Sequence, residues 1–174
     1  MDTRSAGRLA LTLTLVFAGV AAPLGEAWGR KSKAVPRVAA SIVVDMNSGS
    51  ILHAQAAETP RSPASLTKMM TLYMLFGYLR AGKIRAETEL AVTPYAASQA
   101  PTKLGLKAGT TIKVSDAAKA LVTQSANDAA VTIAENLAGS EENFARLMTD
   151  TGRRIGMTKT IFRNASGKDR KSVV

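Results

Sequence analysis

Cysteine is absent from the 174 residues. That excludes disulfides, thiolate metal sites and a lipoprotein attachment cysteine. Histidine occurs once, at His53, with no second type of metal ligand clustered around it. It reads as an ordinary hairpin side chain, and neither a metal nor a cofactor is expected. Aromatic residues make up only 5% of the chain. The formal charge of +10 invites a nucleic-acid reading, yet a strand-binding face needs basic groups interleaved with stacking rings. Between residues 38 and 167 the 14 basic and 10 acidic side chains are interspersed, so no nucleic-acid partner is expected. The mild positive balance suits an anionic substrate or surface. There are no internal repeats and no glycine-rich loop to cradle a phosphate. Beyond the N-terminus no apolar run reaches the roughly 20 residues of a membrane span.

What is present begins with a leader. Arg4 and Arg8 precede an uncharged, mostly apolar stretch from Leu9 to Ala22, and small residues follow. This is the pattern of a secretory signal. Residues 1–27 are expected to be removed, with Gly25-Glu26-Ala27 as one candidate cleavage triplet, and the product to be periplasmic or on the cell surface. Read the other way, the same stretch is an uncleaved N-terminal anchor. A secreted chain without disulfides suits a bacterial periplasm. Residues 28–38 read as a basic linker, and the remainder is long enough for one core.

The pattern then predicts a β-hairpin, with strands 41–46 and 50–54 joined by Asn47-Ser48-Gly49. Pro60 and Pro63 punctuate the approach to a helix running from Ser65 to about Arg80, with Gly82 as its stop. Segments 87–94 and 110–114 read as short strands or extended connectors, and 94–109 as irregular with room for a short helical turn. Ser115-Asp116 is expected to cap a helix over 117–124, and Asn127-Asp128 to start another over 129–138. Ser140 with Glu141-Glu142 opens a last helix to Ile155, whose acidic first turn suits the helix dipole. Phe144, Leu147, Met148 and Ile155 recur at helical spacing and are expected in the core.

Two short constellations carry chemistry. Ser65-Leu66-Thr67-Lys68 opens the apolar run Met69 to Phe76. Residues three apart on a helix share a face, so Lys68 lies one turn deeper than Ser65 and near the core. Burial disfavours a charged amine, and a neutral amine beside a hydroxyl is a base beside a nucleophile. The motif alone is cheap: with 13 serines and 11 lysines, roughly one match arises by chance. A capping serine with a lysine laid along apolar surface explains it equally well. The second constellation, Ser125-Ala126-Asn127, falls between two expected helices. An extended loop there would point Ser125 and Asn127 the same way, while an Asn or Asp cap joining the helices accounts for the same residues.

Taken together the motifs resemble the low-molecular-mass penicillin-binding proteins, specifically the serine-type D-alanyl-D-alanine carboxypeptidases. The likeness runs from about Ala39 to Gly167. It rests on Pro63 to Met70, Lys103 to Gly109, Leu121 to Ala130, Gly139-Ser140-Glu141, Gly156 to Thr160 and Phe162 to Gly167. The resemblance implies an α+β (α/β-mixed) fold of the β-lactamase/transpeptidase type, with the N-terminal hairpin in an antiparallel sheet beside a helical subdomain. It implies Ser65 as nucleophile, Lys68 as base, Ser125 as proton relay and Asn127 as a binding group for the substrate backbone. The implied substrate is the D-Ala-D-Ala end of a peptidoglycan stem peptide, and β-lactams would acylate the same serine.

The same resemblance calls for a third motif, Lys-Thr-Gly, which occurs nowhere in these residues. Residues 39–167 are therefore expected to be a partial domain lacking its later strands, with 168–174 an unrelated or disordered tail. Residues 28–174 alone are expected to be poorly folded and inactive, and the hairpin and helices 65–80 and 129–138 to want a sheet to pack on. A longer form carrying a C-terminal anchor would associate with the membrane. A class A β-lactamase is the nearest rival, but its Glu-x-x-Leu-Asn pattern is absent between Asn127 and Gly167, where Glu135 is followed by Asn136-Leu137-Ala138-Gly139. A non-catalytic peptidoglycan- or partner-binding homologue is the rival from another class.

Overall fold

The computed structural model describes residues 40–168. The expected leader (1–27), linker (28–38) and most of the tail (169–174) lie outside the described residues. The hairpin forms as expected. β1 (Ser41–Val44) pairs antiparallel with β2 (Ile51–Gln55), with a register irregularity between Val43 and Val44. Its turn is held by Asp45, whose carboxylate accepts from the Asn47 N–H at 3.2 Å, the Ser48 N–H at 2.7 Å and the Ser48 hydroxyl at 2.6 Å. These bonds hold its pKa below the usual carboxylate value. His53 is a hairpin side chain, 2.9 Å from the Ser41 hydroxyl. The strands are largely exposed, Ile51 and Leu52 included.

Helix α1 covers Thr67–Arg80 and is followed by Gly82 at φ +66°. Ser65 is not in its first turn. It lies in a separate 3₁₀ turn, Ala64–Leu66, that leads into α1. The turn follows Pro63, and Ala64 sits at φ +48°, which no continuous α-helix accommodates. Strands β3 (Glu89–Ala91) and β4 (Thr111–Lys113) form a second antiparallel pair, and the short helix α2 (Pro94–Ala97) interrupts the loop between them. Helix α3 (Val114–Gln124) starts earlier than expected: its N-cap is Lys113 in extended conformation, and Ser115 lies within the first turn. The β4 strand runs straight into the helix, leaving no loop for Ser115 to cap. Helices α4 (Asn127–Ala138) and α5 (Glu141–Arg154) are the last regular elements among the described residues. Ser140 does cap α5, accepting from the Asn143 N–H at 3.1 Å.

Helix α4 is the centre of the body. It packs against α1, α2, α3, α5 and β3, and Ala129, Ala130, Val131, Ile133 and Ala134 are fully buried. The expectation that 129–138 needs a sheet is met only in part: β3 lies against it, and four helices cover the rest. Leu75 of α1, Val114 of α3, and Phe144 and Met148 of α5 fill the same core, and each such side chain contributes about 1.5–3 kcal/mol. Leu147 and Ile155 were expected inside but are 40% and 50% exposed. With Met69, Tyr73 and Phe76 they leave one side of α1 and α5 facing outward, because α4 occupies the other side of both helices. Asn136 ties β3 to α4 by accepting from the Ala91 N–H at 3.0 Å and donating to its carbonyl at 2.9 Å, as a neighbouring strand would.

Thr149 fastens the start of the segment after α5 to its helix. The buried Thr149 hydroxyl accepts from the Phe162 N–H at 2.9 Å and donates to the Ala145 carbonyl at 3.0 Å. A valine there keeps the shape and strands the buried Phe162 N–H. Thr149→Val is expected to lower stability by about 1–3 kcal/mol, measured by urea unfolding. No change would mean that the bond contributes nothing net.

Candidate active site

The site assembles where four segments meet: the 3₁₀ turn before α1, the first turn of α1, the junction between α3 and α4, and the loop 164–167. Ser65 is exposed on the turn, and Lys68, one turn on, is 3% exposed. No side-chain cap is made at the start of the 3₁₀ turn or of α1. The reading of Ser65 as a capping serine is thereby removed. Nor does Lys68 extend its amine to water. Its Nζ donates to Asn127 Oδ1 at 2.8 Å and to the Ser166 carbonyl at 2.7 Å. Burial pushes its pKa down from 10.5 to about 8.

That geometry has a chemical consequence. A neutral amine has two N–H bonds and one lone pair. Both N–H bonds find acceptors in Asn127 and Ser166, which leaves the lone pair as the remaining direction on nitrogen. With a pKa of about 8, about a tenth of the molecules hold that lone pair free at pH 7.

Ser125 and Asn127 are not placed by an extended segment. Ser125 is the C-cap of α3 in the left-handed region, at φ 53° and ψ 38°, and Asn127 is the first residue of α4. The chain reverses direction between two packed helices, and the left-handed residue makes that reversal. Among the described residues the site's direct side-chain link joins Lys68 to Asn127. The two serine hydroxyls lie outside that pair of bonds.

Sequence reasoning missed what holds these groups. Loop 164–167 is fastened through its backbone. The Ala165 carbonyl accepts from the buried Thr71 hydroxyl at 2.7 Å, its N–H donates to Glu141 at 2.9 Å, and Asn164 Oδ1 accepts from the Gly167 N–H at 2.6 Å. The second missed residue is Asp128, fully buried, whose carboxylate accepts from the N–H groups of Leu104 at 2.9 Å, Gly105 at 2.8 Å, Leu106 at 2.9 Å and Ala129 at 2.9 Å. Burial opposes its ionisation, but the four N–H donors outweigh it and hold its pKa below the ordinary value. At a helix start Asp128 looked like a cap, and the distant loop it holds left no local signal.

A family model described as D-alanyl-D-alanine carboxypeptidase matches residues 30–174. The chain belongs to that family. It is 35% identical over 173 residues to the D-alanyl-D-alanine carboxypeptidase DacA of Escherichia coli K12, spanning 93% of this chain and 43% of that protein. To DacF of Bacillus subtilis it is 29% identical over 138 residues, 79% of this chain and 36% of the relative. The chain thus spans about two fifths of the length of these curated relatives. Among solved structures it is similar to penicillin binding protein 5 of Haemophilus influenzae, with a TM-score of 0.72 at 31% identity, covering 79% of this chain and 42% of that one. It is also similar to penicillin-binding protein D2 of Listeria monocytogenes in its ampicillin-bound form, with a TM-score of 0.62 at 30% identity, covering 77% and 55%. The fold is the α+β transpeptidase/β-lactamase type, represented here by the helical body and two small antiparallel sheets.

Proposed function

We propose that these residues form the acylation half of a serine D-Ala-D-Ala carboxypeptidase that trims peptidoglycan stem peptides and is acylated by β-lactams. The observation that carries the reading is the buried Lys68 amine, whose two N–H bonds are taken by Asn127 and Ser166 beside the exposed Ser65 turn. Ser65 Oγ attacks the carbonyl carbon between the two terminal D-alanines and gives its proton to Lys68 Nζ. The negative oxygen is met by backbone N–H groups, that of Ser65 among them. The C–N bond breaks, and Ser125 passes a proton to the departing D-alanine amine. Asn127 holds the peptide backbone. Water then cleaves the ester, releasing the shortened peptide and Ser65.

A Listeria relative was solved with ampicillin bound, which supports the β-lactam part of the reading. The Lys-Thr-Gly motif is not among these residues, so the grip on the terminal carboxylate is not assigned to any of them. Export to the periplasm or cell surface, through residues 1–27, belongs to the same proposal. The test is to supply a stem pentapeptide ending in D-Ala-D-Ala to the gene's full product and measure free D-alanine. Release that vanishes in Ser65→Ala is expected. Rapid hydrolysis of penicillin with no D-alanine release would favour a β-lactamase, and no labelling at Ser65 would favour a binding module.

A further inference from the structure

We infer that Asp128 is a positioning residue for this site: through residues 104–106 it pins the 100–106 loop against the junction between α3 and α4, and that loop fixes the Asn127 amide that faces Lys68. The inference rests on the reading above.

A cap at a helix start needs only its own helix, and the Ala129 N–H meets that need. The other three donors come from residues 22 to 24 positions away. The carboxylate's remaining capacity is therefore spent on the loop. The loop in turn grips the junction at three points. The Thr102 carbonyl accepts from the Asn127 N–H at 2.8 Å, the Ala100 carbonyl accepts from Asn127 Nδ2 at 3.0 Å, and the Thr102 hydroxyl donates to the Ser125 carbonyl at 3.1 Å. The Ala100 bond decides which end of the amide is which. With Nδ2 held there, Oδ1 is turned to Lys68. A flipped amide would set an N–H donor against the lysine amine.

Charge is needed as well as shape. In an asparagine at 128 one end remains an acceptor while the other becomes a donor. That donor would face the Gly105 and Leu106 N–H groups that now meet Oδ2. Donor against donor expels the loop, and the Asn127 amide loses its fixed direction.

The test compares Asp128→Asn with Ile133→Val, a core change in the same helix that costs about 0.5–1.5 kcal/mol without touching the site. Two readouts are taken. The first is a carbon-13 NMR titration of the Lys68 ε-carbon, which needs no activity; its partners, an amide and a carbonyl, do not titrate. In the unaltered protein the inflection is expected at about 8, where burial sets the amine. Asp128→Asn is expected to raise it by about one unit as water reaches the amine, while Ile133→Val leaves it in place. The second is the labelled-penicillin acylation rate per folded molecule, expected to fall at least ~10-fold in Asp128→Asn alone. If Asp128→Asn lowers only the melting temperature, the inference is overturned. If it does not fold, Thr102→Val loosens the same loop from the other side and must raise the inflection in the same direction; an unmoved inflection overturns the inference. An unaltered protein that is not labelled at Ser65 sinks the proposed function, and the NMR titration still decides the role of Asp128.

Discussion

Lys68→Ala is expected to slow penicillin acylation roughly a thousandfold, and Ser65→Ala to abolish it. Nucleophile and base act as a unit, so the double variant should be hardly worse than Ser65→Ala. Lys68→Arg should fail as well, because a guanidinium keeps its proton at any pH where the protein is folded. The pH dependence follows from the same geometry. The reactive form carries a neutral Lys68, and burial sets its pKa at about 8. The rate should therefore rise about tenfold per pH unit below that value and level off above it. Stability moves in the same direction. The folded amine releases its proton at about 8 while the unfolded one holds it to about 10.5. Between those values the unfolded state binds more protons, so stability rises with pH, by on the order of 3 kcal/mol in all. Stopped-flow acylation from pH 6 to 10 and urea unfolding over the same range check both. A rate that is flat with pH would remove Lys68 as the base.

The parts of the fold legible in the sequence are those that local pattern decides. Runs of β-branched and apolar residues on either side of Asn47-Ser48-Gly49 marked the hairpin, and Ser140 with two glutamates marked the start of α5. Ser65 and Lys68 stood out because their residue types and spacing match a nucleophile beside a base. The rest was hidden for a physical reason. The second acceptor for Lys68 is a backbone carbonyl 98 residues away, and every residue type offers a carbonyl. Asp128 was visible only as a helix opener, since three of its four donors are distant backbone N–H groups. The 3₁₀ turn under Ser65 depends on Ala64 at φ +48°, an arrangement that tertiary contact imposes and residue preference opposes. The left-handed Ser125 is of the same kind.

Gly167→Ala should be the most damaging change outside the proposed catalytic residues. Two costs coincide there. Gly167 sits at φ +73°, and an added Cβ would lie 1.8 Å from the Ala64 carbonyl oxygen, 2.5 Å from its carbon and 2.7 Å from the Thr67 hydroxyl. The Ala64 oxygen and carbon are backbone atoms, so no rotamer change relieves the collision with them. Either the 164–167 loop retreats or the Ala64–Leu66 turn does. If the loop retreats, the Ser166 carbonyl leaves Lys68, to which it now bonds at 2.7 Å. If the turn retreats, Ser65 moves. Each path displaces one member of the site, and a shift of about 1 Å can cost roughly 100-fold in rate. The backbone conformation and the overpacking add a stability loss of about 2–4 kcal/mol. Gly139 separates the two effects: its φ is +77°, yet nothing lies within 4 Å of an added Cβ. Gly139→Ala should therefore lose about 1–2 kcal/mol from strain alone and keep its acylation rate. Calorimetry and labelled-penicillin kinetics on the two variants test this. If Gly167→Ala acylates as fast as Gly139→Ala, the contact between the 164–167 loop and the Ser65 turn does not set the position of the nucleophile.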